Sequence, residues 1–136
     1  MIEAYVDVYY ACHLNRRIVS GYTIKLLNNY VLWKSKNEAE YISVSYCVRE
    51  CLFLSQLLSE MLSALVFTIV VYEDNQSAIK ISSTLETKRS KHIDVRHCFP
   101  RELVANNKIK LVYIKSDDQV GDMFTKVLCE QKFSKF

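Results

Sequence analysis

A chain of 136 residues, half of them hydrophobic, is long enough for one domain with its own core, so a single unit over residues 1–136 is expected. Its five cysteines (Cys12, Cys47, Cys51, Cys98, Cys129) are odd in number, contain no C-x-x-C pair and do not alternate with histidines at zinc-finger spacing, which points to reduced thiols in an intracellular compartment. The net charge of +3 permits a polyanionic partner without demanding one, the longest apolar stretch ("MLSALVFTIVVY") is well short of the roughly 20 residues that span a bilayer, and Met1-Ile2-Glu3 does not look like a signal peptide.

The segment "IEAYVDVYY" (2–10) alternates apolar and polar residues and is rich in β-branched and aromatic types. So are "GYTIKLLN" (21–28) and "YVLWKSK" (30–36), and three strands are predicted, with turns near Arg16-Arg17 and Asn28-Asn29. From Glu38 to about Leu62 the period lengthens: Tyr41, Val44, Val48 and Leu52, then Leu58 and Leu62, fall at steps of three and four, which predicts a helix. "LVFTIVVY" (65–72) reads as a buried strand, "NQSAIKISS" (75–83) as a short helix, and "KHIDVRH" (91–97) onward as another. "KIKLVYIK" (108–115) is a strand by strict alternation and "QVGDMFTKVL" (119–128) a last helix. The order β-β-β-α-β-α-α-β-α predicts an α/β fold, a mixed sheet with helices packed on its faces.

Four acids acquire meaning on that skeleton. Asp7 lies on the first strand, Glu40 in the first turn of the long helix, Asp74 at the tip of the fourth strand and Asp122 near the start of the last helix. Singly, each has a structural explanation: Asp74 as a helix cap, Glu40 and Asp122 as answers to a helix dipole, Asp7 pointing to solvent from an edge. Together they stand where open sheets place their ligand crevice, and acids converging there repel one another unless hard cations neutralise them, which suggests a divalent-metal site. His92, His97 and Cys98 lack the second Cys pair a zinc site needs, and Cys47 and Cys51, one helical turn apart, suit core packing.

The segments "GYTIKLLNN", "WKSK", "EAEYISVS", "YEDNQSAIKIS", "RSKHIDVR", "RELVANNKIKLVYI" and "DQVGDMFTK" follow one another in the order found in the ribonuclease H domain of copia-type retrotransposon Pol polyproteins, which the chain resembles over almost its whole length. The resemblance implies the ribonuclease H-like fold, a five-stranded mixed sheet flanked by helices, and a catalytic set of Asp7, Glu40, Asp74 and Asp122 holding two Mg²⁺ ions, with Mn²⁺ as substitute. The implied reaction is metal-dependent endonucleolytic hydrolysis of the RNA strand of an RNA–DNA hybrid, with metals about 4 Å apart activating water and stabilising the departing oxygen. Asn75 and Gln76 are placed to read 2′-hydroxyls in the minor groove, and Lys88, Arg89 and Lys91 form the densest basic run, suited to phosphate contact or to a solvated loop. Glu73 would face away from the metals. The implied partners are the hybrid and the reverse transcriptase module of the same polyprotein, with no membrane, a monomer in isolation, and a cytoplasmic virus-like particle or nuclear location.

Departures from the pattern give a second reading. Between "WKSK" and "EAEY" only Asn37 remains of a connecting segment, so roughly ten residues are missing and Glu40 is the acid most exposed to misplacement. Tyr9 stands where a second Asp is usual, Pro100 interrupts an expected helix, and Val127 replaces a usual Pro. The alternative is therefore a catalytically impaired relic that keeps the fold and weak nucleic-acid affinity. An integrase of the same broad fold would need an upstream zinc-binding region and an Asp, Asp, Glu order, neither of which the sequence carries.

Overall fold

In the computed structural model, residues 1–10, 18–36, 40–63, 67–83, 100 and 102–136 are described. Strand β1 (Ile2–Tyr10) is followed by β2 (Ile18–Leu26) and β3 (Asn29–Lys36), then helix α1 (Glu40–Met61), strand β4 (Ile69–Glu73), helix α2 (Gln76–Ser83) and strand β5 (Ile109–Tyr113). Two 3₁₀ turns, Ser116–Asp118 and Val120–Phe124, and a short helix α3 (Glu130–Lys135) complete the order. The helix expected from Lys91 onward lies largely outside the described residues, but residues 100 and 102–105 are helical, and Pro100 is buried there.

The sheet order is β3-β2-β1-β4-β5. Antiparallel β1–β2–β3 pairing needs only short connections, whereas the parallel β1–β4 pair needs a crossover, and α1 lies in that crossover. β1 is therefore the central strand. Its side chains alternate: Ile2, Ala4 and Val6 join Tyr22, Ile24, Ile69, Val71 and Ile109 in the core, packed with Val44, Cys47, Val48 and Cys51 of α1. Cys47 and Cys51 are fully buried, in keeping with a packing role, and burial is the first cause pushing the Cys47 thiol well above its ordinary pKa.

Several boundaries differ from expectation: β2 begins at Ile18 rather than Gly21, α1 at Glu40 rather than Glu38, and β5 is the shorter Ile109–Tyr113. The β2–β3 turn sits at Leu27-Asn28, one residue earlier than predicted, with φ values of 49° and 66°, the positive pair a two-residue hairpin turn requires. The fourth strand begins at Ile69 rather than at residue 65. The predicted helix over 119–128 is replaced by the 3₁₀ turn Val120–Phe124, and an α-helix forms only from Glu130. The cause is long-range: the Gln119 side chain donates to the Val6 carbonyl (2.8 Å) and accepts from Gly121 N–H (3.2 Å), pinning the segment to β1 before a regular helical turn can form.

Candidate metal centre

Asp7 follows Val6 on the central strand and so projects from the face opposite α1. There it is covered, not solvated: its residue exposure is 2%, because the 119–125 segment packs over it. Both glycines of the chain make this possible. Gly21 pairs with Asp7 across β1–β2, and a Cβ there would lie 2.9 Å from both Phe124 Cβ and Thr125 Cγ2. A Cβ on Gly121 would lie 3.1 Å from Asp7 Cβ and backbone N. The chain can thus fold its C-terminal segment directly onto the strand, and Asp122 arrives at Asp7 with only 1% of its surface exposed.

Asp74 reaches the same point from the residue after β4, its Oδ2 accepting a 2.8 Å bond from Ser116 Oγ. One carboxylate oxygen from each of Asp7, Asp74 and Asp122 lies within 4.8 Å of the others. The structural explanations offered for two of them do not hold. Asp7 is neither solvent-facing nor at an edge, and α2 is capped by Asn75, whose Oδ1 accepts from Ser77 N–H at 2.9 Å, not by Asp74. Glu73 keeps the parity of Ile69 and Val71, is buried, and accepts from Asn75 N–H at 3.2 Å.

Glu40 is the first residue of α1, and its side chain lies outside the described residues, as do Lys88, Arg89 and Lys91. Gln76 is exposed at the start of α2. β3 persists to Lys36 without fraying, so three residues connect it to α1.

Several residues of the cluster were not singled out from sequence. Thr125 Oγ1 donates to Asp7 Oδ2. Lys126 Nζ lies 2.8 Å from Asp122 Oδ1 and 3.4 Å from Asp7. Lys132 Nζ of α3 lies 2.6 Å from Asp122 Oδ2 and also donates to the Ser116 carbonyl at 3.0 Å. The available signals were the two glycines in a glycine-poor chain and the i,i+4 spacing of Asp122 and Lys126.

The two buried acids are tuned in opposite directions. Burial raises the Asp7 pKa to about 6, with Asp122 and Asp74 adding to the rise and Thr125 and Lys126 opposing it. Burial also raises Asp122, but hydrogen bonds and charge from Lys126 and Lys132 outweigh it and hold that carboxyl below its ordinary value. For Lys126, burial works against the charged form, yet its bond to Asp122 and the charges of Asp7 and Asp122 raise its pKa overall. Three hard oxygen donors at this separation suit a hard divalent cation better than a thiophilic one.

No protein-family model matches the chain. Over 98% of its length it is 33% identical to the retrovirus-related Pol polyprotein from transposon TNT 1-94 of Nicotiana tabacum, of which it covers 11%. Over 99% of its length it is 29% identical to that from transposon RE1 of Arabidopsis thaliana, of which it covers 10%. The chain spans about a tenth of the length of these curated relatives. Among solved structures, LC11-RNase H1, isolated from compost by a metagenomic approach, matches with a TM-score of 0.66 at 13% identity, covering 90% of this chain and 91% of that one. The same enzyme in complex with an RNA/DNA hybrid matches with a TM-score of 0.57 at 12% identity, covering 91% and 93%. The five-stranded mixed sheet is thus a ribonuclease H-like fold, and over nearly its whole length the chain is similar to part of retrotransposon Pol polyproteins.

Proposed function

We propose that this chain is a metal-dependent endoribonuclease that hydrolyses the RNA strand of RNA–DNA hybrids, as one folded domain of a longer Pol polyprotein beside its reverse transcriptase module. The observation that carries the reading is the meeting, within 4.8 Å, of Asp7 on the central strand, Asp74 just after β4 and Asp122 in the 3₁₀ turn packed over β1 of a ribonuclease H-like sheet. Asp7 is held by Thr125, Asp74 by Ser116, and Asp122 by the segment that Gln119 pins to β1, so the three carboxylates are oriented before any ligand arrives. Glu40 is the fourth acid of the set by resemblance. A divalent ion bound there supplies positive charge to a phosphate and lowers the pKa of an attacking water. Lys34 and Lys36, with Ser20, Tyr22, Ser43 and Tyr46, line a small recess between β2, β3 and α1, where Lys34 is paired with Glu50 at 3.5 Å. Asn75, Gln76, Lys88, Arg89 and Lys91 are the further contacts proposed for the hybrid.

The test is cleavage of a labelled RNA–DNA hybrid with Mg²⁺ or Mn²⁺, beside the same RNA single-stranded. Hybrid-specific cleavage lost in Asp74→Asn supports the reading. Cleavage that persists in EDTA, or in Asp74→Asn, overturns it. The three-residue connection before Glu40 favours the second reading, a folded copy with feeble cleavage, and hybrid binding with only feeble turnover at saturating metal is its expected signature.

A further inference from the structure

The acids of the centre are not equally open to a cation. Asp122 has an ammonium on each oxygen, Lys126 at 2.8 Å and Lys132 at 2.6 Å. Lys126 also stands 3.4 Å from Asp7, between the two buried carboxylates. Among the described residues no lysine or arginine pairs with Asp74, which accepts a hydrogen bond from the neutral Ser116 hydroxyl. Three carboxylates and two ammoniums sum to a charge of −1.

A metal ion ligated by Asp122 would stand against the ammoniums already on both its oxygens, and two cations repel strongly at contact distance. Metal binding on this side is therefore an exchange, not an addition. The lysines have somewhere to go: their side chains are 28% and 25% exposed, and Lys132 sits on the six-residue helix α3.

We propose that Lys126 and Lys132 are resident counter-cations of this centre, which hold Asp122 in the metal-free protein, leave Asp7 and Asp74 to take the first divalent ion, and must be displaced before Asp122 can ligate one. The proposal rests on the metal-binding reading above. It makes the two lysines determinants of how many divalent ions the free protein takes and how tightly. The exchange breaks no covalent bond: each ammonium leaves with its protons and its charge passes into solvent as the ion enters.

Mn²⁺ titration of the whole chain by calorimetry, with no nucleic acid present, tests this. Lys126→Met should bind the second, Asp122-ligated Mn²⁺ about tenfold more tightly than the unmodified chain, the size of effect a cation in contact with a carboxylate exerts on its other equilibria. In EDTA the same variant should melt at a lower temperature, because the acids then face one another without their counter-ion. Asp122→Asn should change the affinity for the first ion less than about threefold, while Asp74→Asn should abolish it. Lys132→Met, in the terminal helix, provides a second variant should Lys126→Met fail to fold. Affinity for the second Mn²⁺ unchanged or weakened in the folded lysine variants overturns the proposal. Absence of Mn²⁺ binding in the unmodified chain and the lysine variants alike overturns the metal-binding reading itself.

Discussion

The raised pKa of Asp7 makes metal-free stability depend on pH in a defined direction. The rise from 3.8 to about 6 corresponds to roughly 3 kcal/mol at about 1.4 kcal/mol per unit. Below pH 3.8 the carboxyl is protonated in both folded and unfolded chains, and its stability contribution is fully present. As pH rises through about 6 the folded state must ionise a buried group, and that contribution is lost. Asp122, whose pKa is lowered, acts with the opposite sign: its contribution is present above 3.8 and lost as pH falls through its folded value, so it does not mask Asp7 between pH 4 and 6. Asp7→Asn keeps an acceptor for Thr125 but gives up the 3.4 Å contact with Lys126, so a net gain of about 1–2 kcal/mol at pH 7.5 is expected, with little or none at pH 4. Urea unfolding in EDTA at the two pH values measures it. Equal destabilisation by Asp7→Asn at both would refute the claim that burial of an ionised Asp7 strains the metal-free fold.

Three further outcomes follow from the packing. Gln119→Leu keeps the volume of a fully buried side chain but strands the Val6 carbonyl, and should cost about 1–3 kcal/mol in a denaturant melt while weakening Mn²⁺ binding. Gly21→Ala places a methyl 2.9 Å from Phe124 Cβ and Thr125 Cγ2 and should destabilise by about 1–3 kcal/mol; a neutral result would mean the C-terminal segment lies further from β2 than the structure has it. Insertion of roughly ten Ser/Thr-rich residues after Lys36 should raise hybrid cleavage, and no gain would move the defect away from Glu40.

What the sequence determined by itself was everything that local periodicity encodes. Alternation fixed β1 and β5, the lengthened period fixed α1, and the acid after an apolar run located Asp74 at a strand tip, because side-chain direction along a strand or helix is a property of the backbone alone. The order of the motifs also carried the family resemblance and with it three acids that the fold gathers within 4.8 Å. The C-terminal segment was not legible in this way. Its apolar spacing suits a helix, yet Gln119 bonds to Val6, 113 positions away, and that contact outweighs the local preference. The same holds for Lys126 and Lys132, which were not singled out from sequence. Only when Gly21 and Gly121 let the segment close on β1 do their ammoniums meet a buried Asp122, since the energy that fixes them, charge pairing away from water, does not exist until the tertiary structure has excluded the solvent.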